Sequence, residues 1–158
     1  MDIVYRQGNL LATESAIIVH GCNARGAFNS GIARVIREQL PFAYEAYAAV
    51  FHQRKLQLGE VIWAVSIVTD LPPKIVGNAI TQADFGNEPK RYVDYDAVRS
   101  AMQAVDLFVQ QTTIEAIPRP ITVAMPRIGS GLGGGDWATI AQIIEQEAQH
   151  FTPIVYQL

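Results

Sequence analysis

Residues 129–135 read Gly-Ser-Gly-Leu-Gly-Gly-Gly, five glycines in seven positions. Glycine reaches positive φ without penalty and lets backbone amides approach a ligand closely. Successive amides leading into a helix N-terminus form a cradle for an anion. The ligand class expected at this loop is a diphosphate. A second polar group lies far upstream at His20, Cys22, Asn23 and Arg25. Asn23 can hydrogen-bond a ribose hydroxyl through its amide, or it is an ordinary turn residue. His20 has the chemistry of a general acid or base, although taken alone it reads as a structural histidine at a strand end. Cys22 is a nucleophile by type, but with no base visible in sequence it reads as a small buried residue. Arg127 can neutralise ligand phosphate or donate to carbonyls as a structural group. Asp136 can act as a catalytic carboxylate, or it caps the helix that follows the glycine loop, which is the better reading.

Two phosphate motifs are weighed first. Gly129-x-Gly131-x-x-Gly134 formally matches the dinucleotide fingerprint. That fingerprint needs a helix, a second strand and an acidic residue about 20 positions on. The residues after this loop offer one helix and a strand ending Tyr156-Gln157-Leu158. No Gly-Lys-Ser/Thr follows, so a Walker loop is excluded. His52 and His150 make no ligand pattern with His20, so neither a metal nor a cofactor is expected.

The elements that must position these groups alternate. Asp2 to Arg6 reads as a short strand. Ala16 to Val19 is an apolar run of the kind buried in a central sheet, and residues 20–31 follow it as a loop. Ile32, Val35, Ile36 and Leu40 keep helical spacing; Pro41 ends that helix and opens another carrying Ala43, Ala46, Tyr47, Val50 and Phe51. Strands are expected at Glu60 to Ser66 and Lys74 to Ile80, joined by a turn at Asp70-Leu71-Pro72-Pro73. Asp84 to Arg91 reads as an exposed loop. Asp94 to Gln111 is a helix, Ile121 to Met125 a strand, and Asp136 opens a helix with Trp137, Ile140, Ile144 and Ala148 inward. Ile154 to Tyr156 forms the last strand. This order predicts a three-layer α/β/α fold with a mixed, largely parallel sheet, and a ligand beyond the carboxyl ends of its strands.

Size and charge bound the rest. The chain has 158 residues, of which 49% are hydrophobic and 17% charged, enough for one domain over 1–158 with a sizeable core. The net charge of −3 argues against general nucleic-acid binding. A lone cysteine permits no internal disulfide. Neither a signal peptide nor an apolar run of membrane length is visible, so a cytoplasmic location and no membrane partner are expected.

Several motifs together resemble the macro domain family. They are Gly8-Asn9-Leu10-Leu11, then Ile18-Val19-His20-Gly21-Cys22-Asn23, then Gly31-Ile32-Ala33, then Met125 to Leu132, and last Val155-Tyr156-Gln157-Leu158. They occur in family order and span the chain. The resemblance implies an ADP-ribose cleft at the strand ends, with an ADP-ribose derivative, free or on a modified protein, as the partner. It implies adenine near Asn9 and Leu10 with Leu158 lining that end. It implies distal ribose and diphosphate at Arg127, Ile128, Gly129, Ser130, Gly131, Leu132 and Gly133. It implies proximal ribose near Gly21, Cys22, Asn23, Gly31 and Ile32.

The branch resembled holds the yeast-type ADP-ribose 1″-phosphate phosphatase and the terminal ADP-ribose protein glycohydrolase. The glycohydrolase's lysine nucleophile and second-loop aspartate correspond here to Gln82 and Gly133. Glutamine cannot form a lysyl-sugar adduct, so that mechanism is not expected. The phosphatase's first-loop histidine corresponds to His20, with Asp136 the nearest candidate for its carboxylate. The family's three glycines are here Asn29-Ser30-Gly31, and the usual acidic residue of the opening motif is Asn9. The expected activity is hydrolysis of ADP-ribose 1″-phosphate. The alternatives are a mono-ADP-ribosyl or O-acetyl-ADP-ribose hydrolase that uses a substrate-held water, and a non-catalytic reader of ADP-ribose.

Overall fold

A computed structural model describes residues 1–157. Its strands are β1 (Val4–Gln7), β2 (Ile17–Asn23), β3 (Val61–Ser66), β4 (Lys74–Gln82), β5 (Thr122–Met125) and β6 (Thr152–Gln157). Its helices are α1 (Gly31–Gln39), α2 (Pro41–Gln53), α3 (Tyr95–Gln111) and α4 (Trp137–Glu147). One sheet runs in the order β1-β6-β5-β2-β4-β3. Every pairing in it is parallel except β3 with β4 at one edge. The expected mixed, largely parallel sheet is the one observed.

Side-chain alternation along β2 builds the layers. Ile17 and Val19 join the core beneath α3 and α4, with Val98, Met102, Val105, Ile140 and Ile144. Cys22 joins the core beneath α1 and α2, with Ile36, Ala43 and Tyr47. Both faces of β2 and β4 are covered, which is why the two strands read as continuous apolar runs.

Helix ends follow local chemistry. Asp94 accepts from the Ala97 amide at 3.0 Å and starts α3. Pro41 sits in the first turn of α2, where its missing N–H costs nothing. Asp136 accepts from the Thr139 amide at 3.1 Å and from the Thr139 hydroxyl at 2.7 Å, and so starts α4.

Two boundaries differ from expectation in ways that matter for the site. β2 runs on to Asn23, because its pairing with β4 continues through Gly21↔Ala79 and Cys22↔Ile80. His20, Gly21 and Cys22 are therefore strand residues, not loop residues. A 3-10 turn at Leu10–Ala12, absent from the sequence reading, is capped by Asn9, whose side chain accepts from the Leu11 amide at 3.0 Å.

Candidate functional site

β2, β4 and β5 are parallel and end at the same edge of the sheet. Their outgoing loops, 24–30, 83–94 and 126–136, meet there around a cleft of about 570 Å³. Loops 24–30 and 126–136 belong to the pair singled out from sequence. Loop 83–94 was read only as an exposed connection, yet Phe85, Gly86 and Asn87 line the cleft together with Thr81 and Gln82 at the end of β4. The signal that finds them is positional: they leave the carboxyl end of a parallel strand next to β2.

Internal bonds hold the glycine loop. Gly135 N donates to Gly129 O at 2.8 Å, and Gly134 N to Gly131 O at 3.0 Å. Gly133 O accepts from Tyr92 N and Val93 N. The Ser130 amide and hydroxyl both donate to Arg127 O, so Ser130 shapes the loop and does not line the cleft. Among the described residues, the amides of Gly129, Gly131, Leu132 and Gly133 donate to no protein acceptor. Across the cleft, α1 begins without a side-chain cap at Ser30, and Gly31, Ile32 and Ala33 line the opening. Free amides on one wall and an uncapped helix N-terminus on the other make an anion seat.

Asn23 lines the cleft but is mostly occupied with its own loop. Its Oδ1 accepts from Arg25 N at 2.9 Å and Ala27 N at 3.2 Å, and its Nδ2 donates to Ala27 O at 2.9 Å. One Nδ2 hydrogen remains for a ligand. Arg127 lies on the rim, its guanidinium 5.2 Å from the Trp137 ring centroid. Among the described lining residues Arg127 carries the only formal charge, and none is Asp, Glu, His or Lys. Cys22 also lines the cleft, but burial pushes its thiol pKa up, which keeps it protonated and unreactive.

The two residues expected to move protons lie elsewhere. His20 is fully buried and absent from the cleft wall. Its Nε2 is 2.6 Å from Oδ1 of Asn78, directly across on β4. The Asn78 amide nitrogen donates to Ala43 O and Ile62 O, so Oδ1 must accept and His20 Nε2 must donate. Burial lowers the His20 pKa to about 4, against a smaller opposing pull from the Asn78 bond. The ring is thus neutral, bonded to Asn78 across the β2–β4 pair, and Phe28 meets it edge-on at 5.2 Å. This burial places His20, expected from the resemblance to move a proton, off the described cleft wall. Asp136 takes the cap reading given from sequence: its carboxylate starts α4, held ionised by the Thr139 hydroxyl and amide, and it does not line the cleft. Asp136→Ala is expected to lower the melting temperature by about 2–4 °C and leave turnover unchanged, as thermal melts and initial rates would report.

At the expected adenine end, Leu10 is buried against Ile18 and Ala124, and neither it nor Asn9 lines this cleft. Leu158 lies outside the described residues. Gly21, Cys22, Asn23, Gly31, Ile32, Arg127, Ile128, Gly129, Gly131, Leu132 and Gly133 are brought together around the cleft.

A family model described as "Macro domain" matches residues 19–144. A protein of Candida albicans named "ADP-ribose 1''-phosphate phosphatase" is 25% identical over 159 residues, covering 97% of this chain and 99% of its own. A Thermus aquaticus protein named "DNA ADP-ribosyl glycohydrolase" is 24% identical over 140 residues, covering 89% of this chain and 36% of its own. A solved structure from Bacteroides thetaiotaomicron, titled as a protein of unknown function, superposes with a TM-score of 0.83 at 30% identity over 100% of this chain and 99% of its own.

Proposed function

The chain belongs to the macro domain family, and from that premise we propose that it binds ADP-ribose across the cleft and hydrolyses ADP-ribose 1″-phosphate to ADP-ribose and phosphate. The observation that carries the reading is the pairing of four unpartnered loop amides with the uncapped α1 N-terminus around one cleft. That arrangement is suited to a dianionic diphosphate in a chain whose own net charge is negative. The phosphatase name of relatives that align along nearly the whole chain supports the choice of terminal phosphate. Reading 1–158 as one domain rests on the sheet, in which β1 and β6, from opposite ends of the chain, pair side by side.

With no carboxylate or imidazole on the described cleft wall, the proton transfers fall to the substrate. Water attacks phosphorus, the bond from phosphorus to the C1″ oxygen breaks, and a phosphate oxygen relays the water proton to that leaving oxygen. Free amides offset the charge on the phosphoryl oxygens. Gln82, on the cleft wall with its Nε2 bonded to Asp84 O at 2.7 Å, is a neutral amide where a lysine-dependent glycohydrolase would need an amine.

The same bare wall favours one second reading, a module that binds ADP-ribose without turning it over. Purified protein presented in parallel with ADP-ribose 1″-phosphate, ADP-ribosylated protein and O-acetyl-ADP-ribose separates the cases. Phosphate release from the first alone is expected. Release from none, with one ADP-ribose bound per chain by calorimetry, selects the binding module. Turnover of either other compound in preference replaces the phosphatase with a different hydrolase. AMP is expected to bind much more weakly than ADP-ribose, and equal affinity would remove the diphosphate seat.

A further inference from the structure

Thr81, the penultimate residue of β4, carries a hydroxyl that has no hydrogen-bond partner among the described residues although the side chain is 1% exposed. Leaving a buried hydroxyl unmade costs about 1–3 kcal/mol, so such an atom calls for an explanation. Its surroundings supply one. Thr81 lines the cleft, and so does Gly21, its neighbour on β2. A Cβ added at Gly21 would lie 2.8 Å from Thr81 Oγ1 and 3.1 Å from Ile128 Cγ2. Gly21 has no positive φ, so the backbone does not demand glycine there. In the middle of a buried strand glycine weakens the sheet, and its use marks a close approach by something else. The missing side chain lets the Thr81 hydroxyl and Ile128 pack directly against the β2 backbone at the cleft wall.

Resting on the ADP-ribose reading above, we propose that Thr81 is a ligand-positioning residue: its unpartnered hydroxyl, beside Gly21 at the cleft wall, hydrogen-bonds an oxygen of bound ADP-ribose. The oxygen belongs to a ribose hydroxyl or to the diphosphate; either completes the threonine.

Thr81→Val is the decisive variant, because it keeps shape and volume and removes only the hydroxyl. Calorimetry with ADP-ribose should then read an affinity about 3–10-fold weaker, the worth of one neutral hydrogen bond. The apo protein should melt at the same temperature or higher, since an unpartnered hydroxyl has left the core. Thr81→Ser should restore affinity to within about twofold of the original. ADP used as a second probe locates the oxygen: a loss confined to ADP-ribose places it on the terminal ribose, and an equal loss for both places it on the diphosphate. Unchanged ADP-ribose affinity in Thr81→Val overturns the assignment. So does a fall in apo stability with unchanged affinity, which would mean the hydroxyl serves the fold alone. Wild-type protein that does not bind ADP-ribose at all sinks the underlying reading, an outcome distinct from wild-type binding that the valine leaves intact.

Discussion

Gly131→Val is expected to weaken ADP-ribose binding by at least about 100-fold while leaving the thermal melt of the free protein unchanged. Gly131 lines the cleft, is exposed, and a Cβ added to it meets no protein atom within 4 Å. A branched side chain there projects into open space in the free protein and into the diphosphate seat when ligand arrives. The reason differs from the one sequence alone offers. A glycine-rich run reads as a set of left-handed residues, but Gly131 has no positive φ; the left-handed positions in this loop are Gly129 at 75° and Gly134 at 69°. Gly129→Val supplies the contrast. Its Cβ would fall 2.6 Å from Val93 Cγ2 and 3.2 Å from Ile140 Cδ1, both in the core. Left-handed strain of about 1–2 kcal/mol adds to overpacking of about 1–3 kcal/mol. That variant should lose most of its fold, visible as a large drop in melting temperature by circular dichroism. If Gly131→Val binds normally by calorimetry, the loop is not the diphosphate seat. If it unfolds, the geometry assigned to the two glycines is wrong.

His20→Ala is expected to cost about 3 kcal/mol or more of stability, and its folded fraction should turn over at the wild-type rate. The substitution opens a cavity beside Phe28 and strands the Asn78 oxygen without its donor. A general acid or base would behave oppositely, losing about 10²–10⁴-fold in rate at full stability. The pH dependence has a definite sign. His20 ordinarily titrates at 6.5 but at about 4 when folded. Between those values the unfolded chain binds the proton and the folded one does not. Its neutral burial therefore contributes full stability above about pH 6.5, and that contribution declines as pH falls towards 4, by about 3 kcal/mol over the window. Denaturant unfolding at pH 7, 6 and 5 should show this slope in wild type and a flatter one in His20→Gln. Equal slopes in both would mean His20 is solvated when folded. A rate loss without a stability loss would return it to the chemistry.

Much of this protein was legible in the chain itself. The helical period at Val98, Met102, Val105 and Val109 required one buried face, and the runs at 17–19 and 75–80 required strands covered on both sides. The expectation of an anion seat at the glycine loop rests on amide density and conformational freedom, which are properties of composition. Asp136 before an apolar helical face reads as a cap for an equally local reason. These features depend on residues a few positions apart, and short-range sterics and periodicity suffice to reveal them.

Tertiary structure alone decided which polar groups face the cleft. His20 and Gly21 are adjacent in sequence, yet alternation along β2 sends one ring into the core against Asn78, 58 residues away, and leaves the other position open to the cleft. Where β2 ends depends on how far β4 pairs with it, and no local pattern encodes that length. Thr81, Gln82 and Phe85 enter the site only because β4 lies next to β2 in the sheet order. Gly129 and Gly134 are left-handed in a loop whose Gly133 carbonyl is bonded by Tyr92 and Val93 from another loop. In each case the deciding contact spans dozens of residues, and the burial that sets a proton affinity or an open seat exists only once the sheet is assembled.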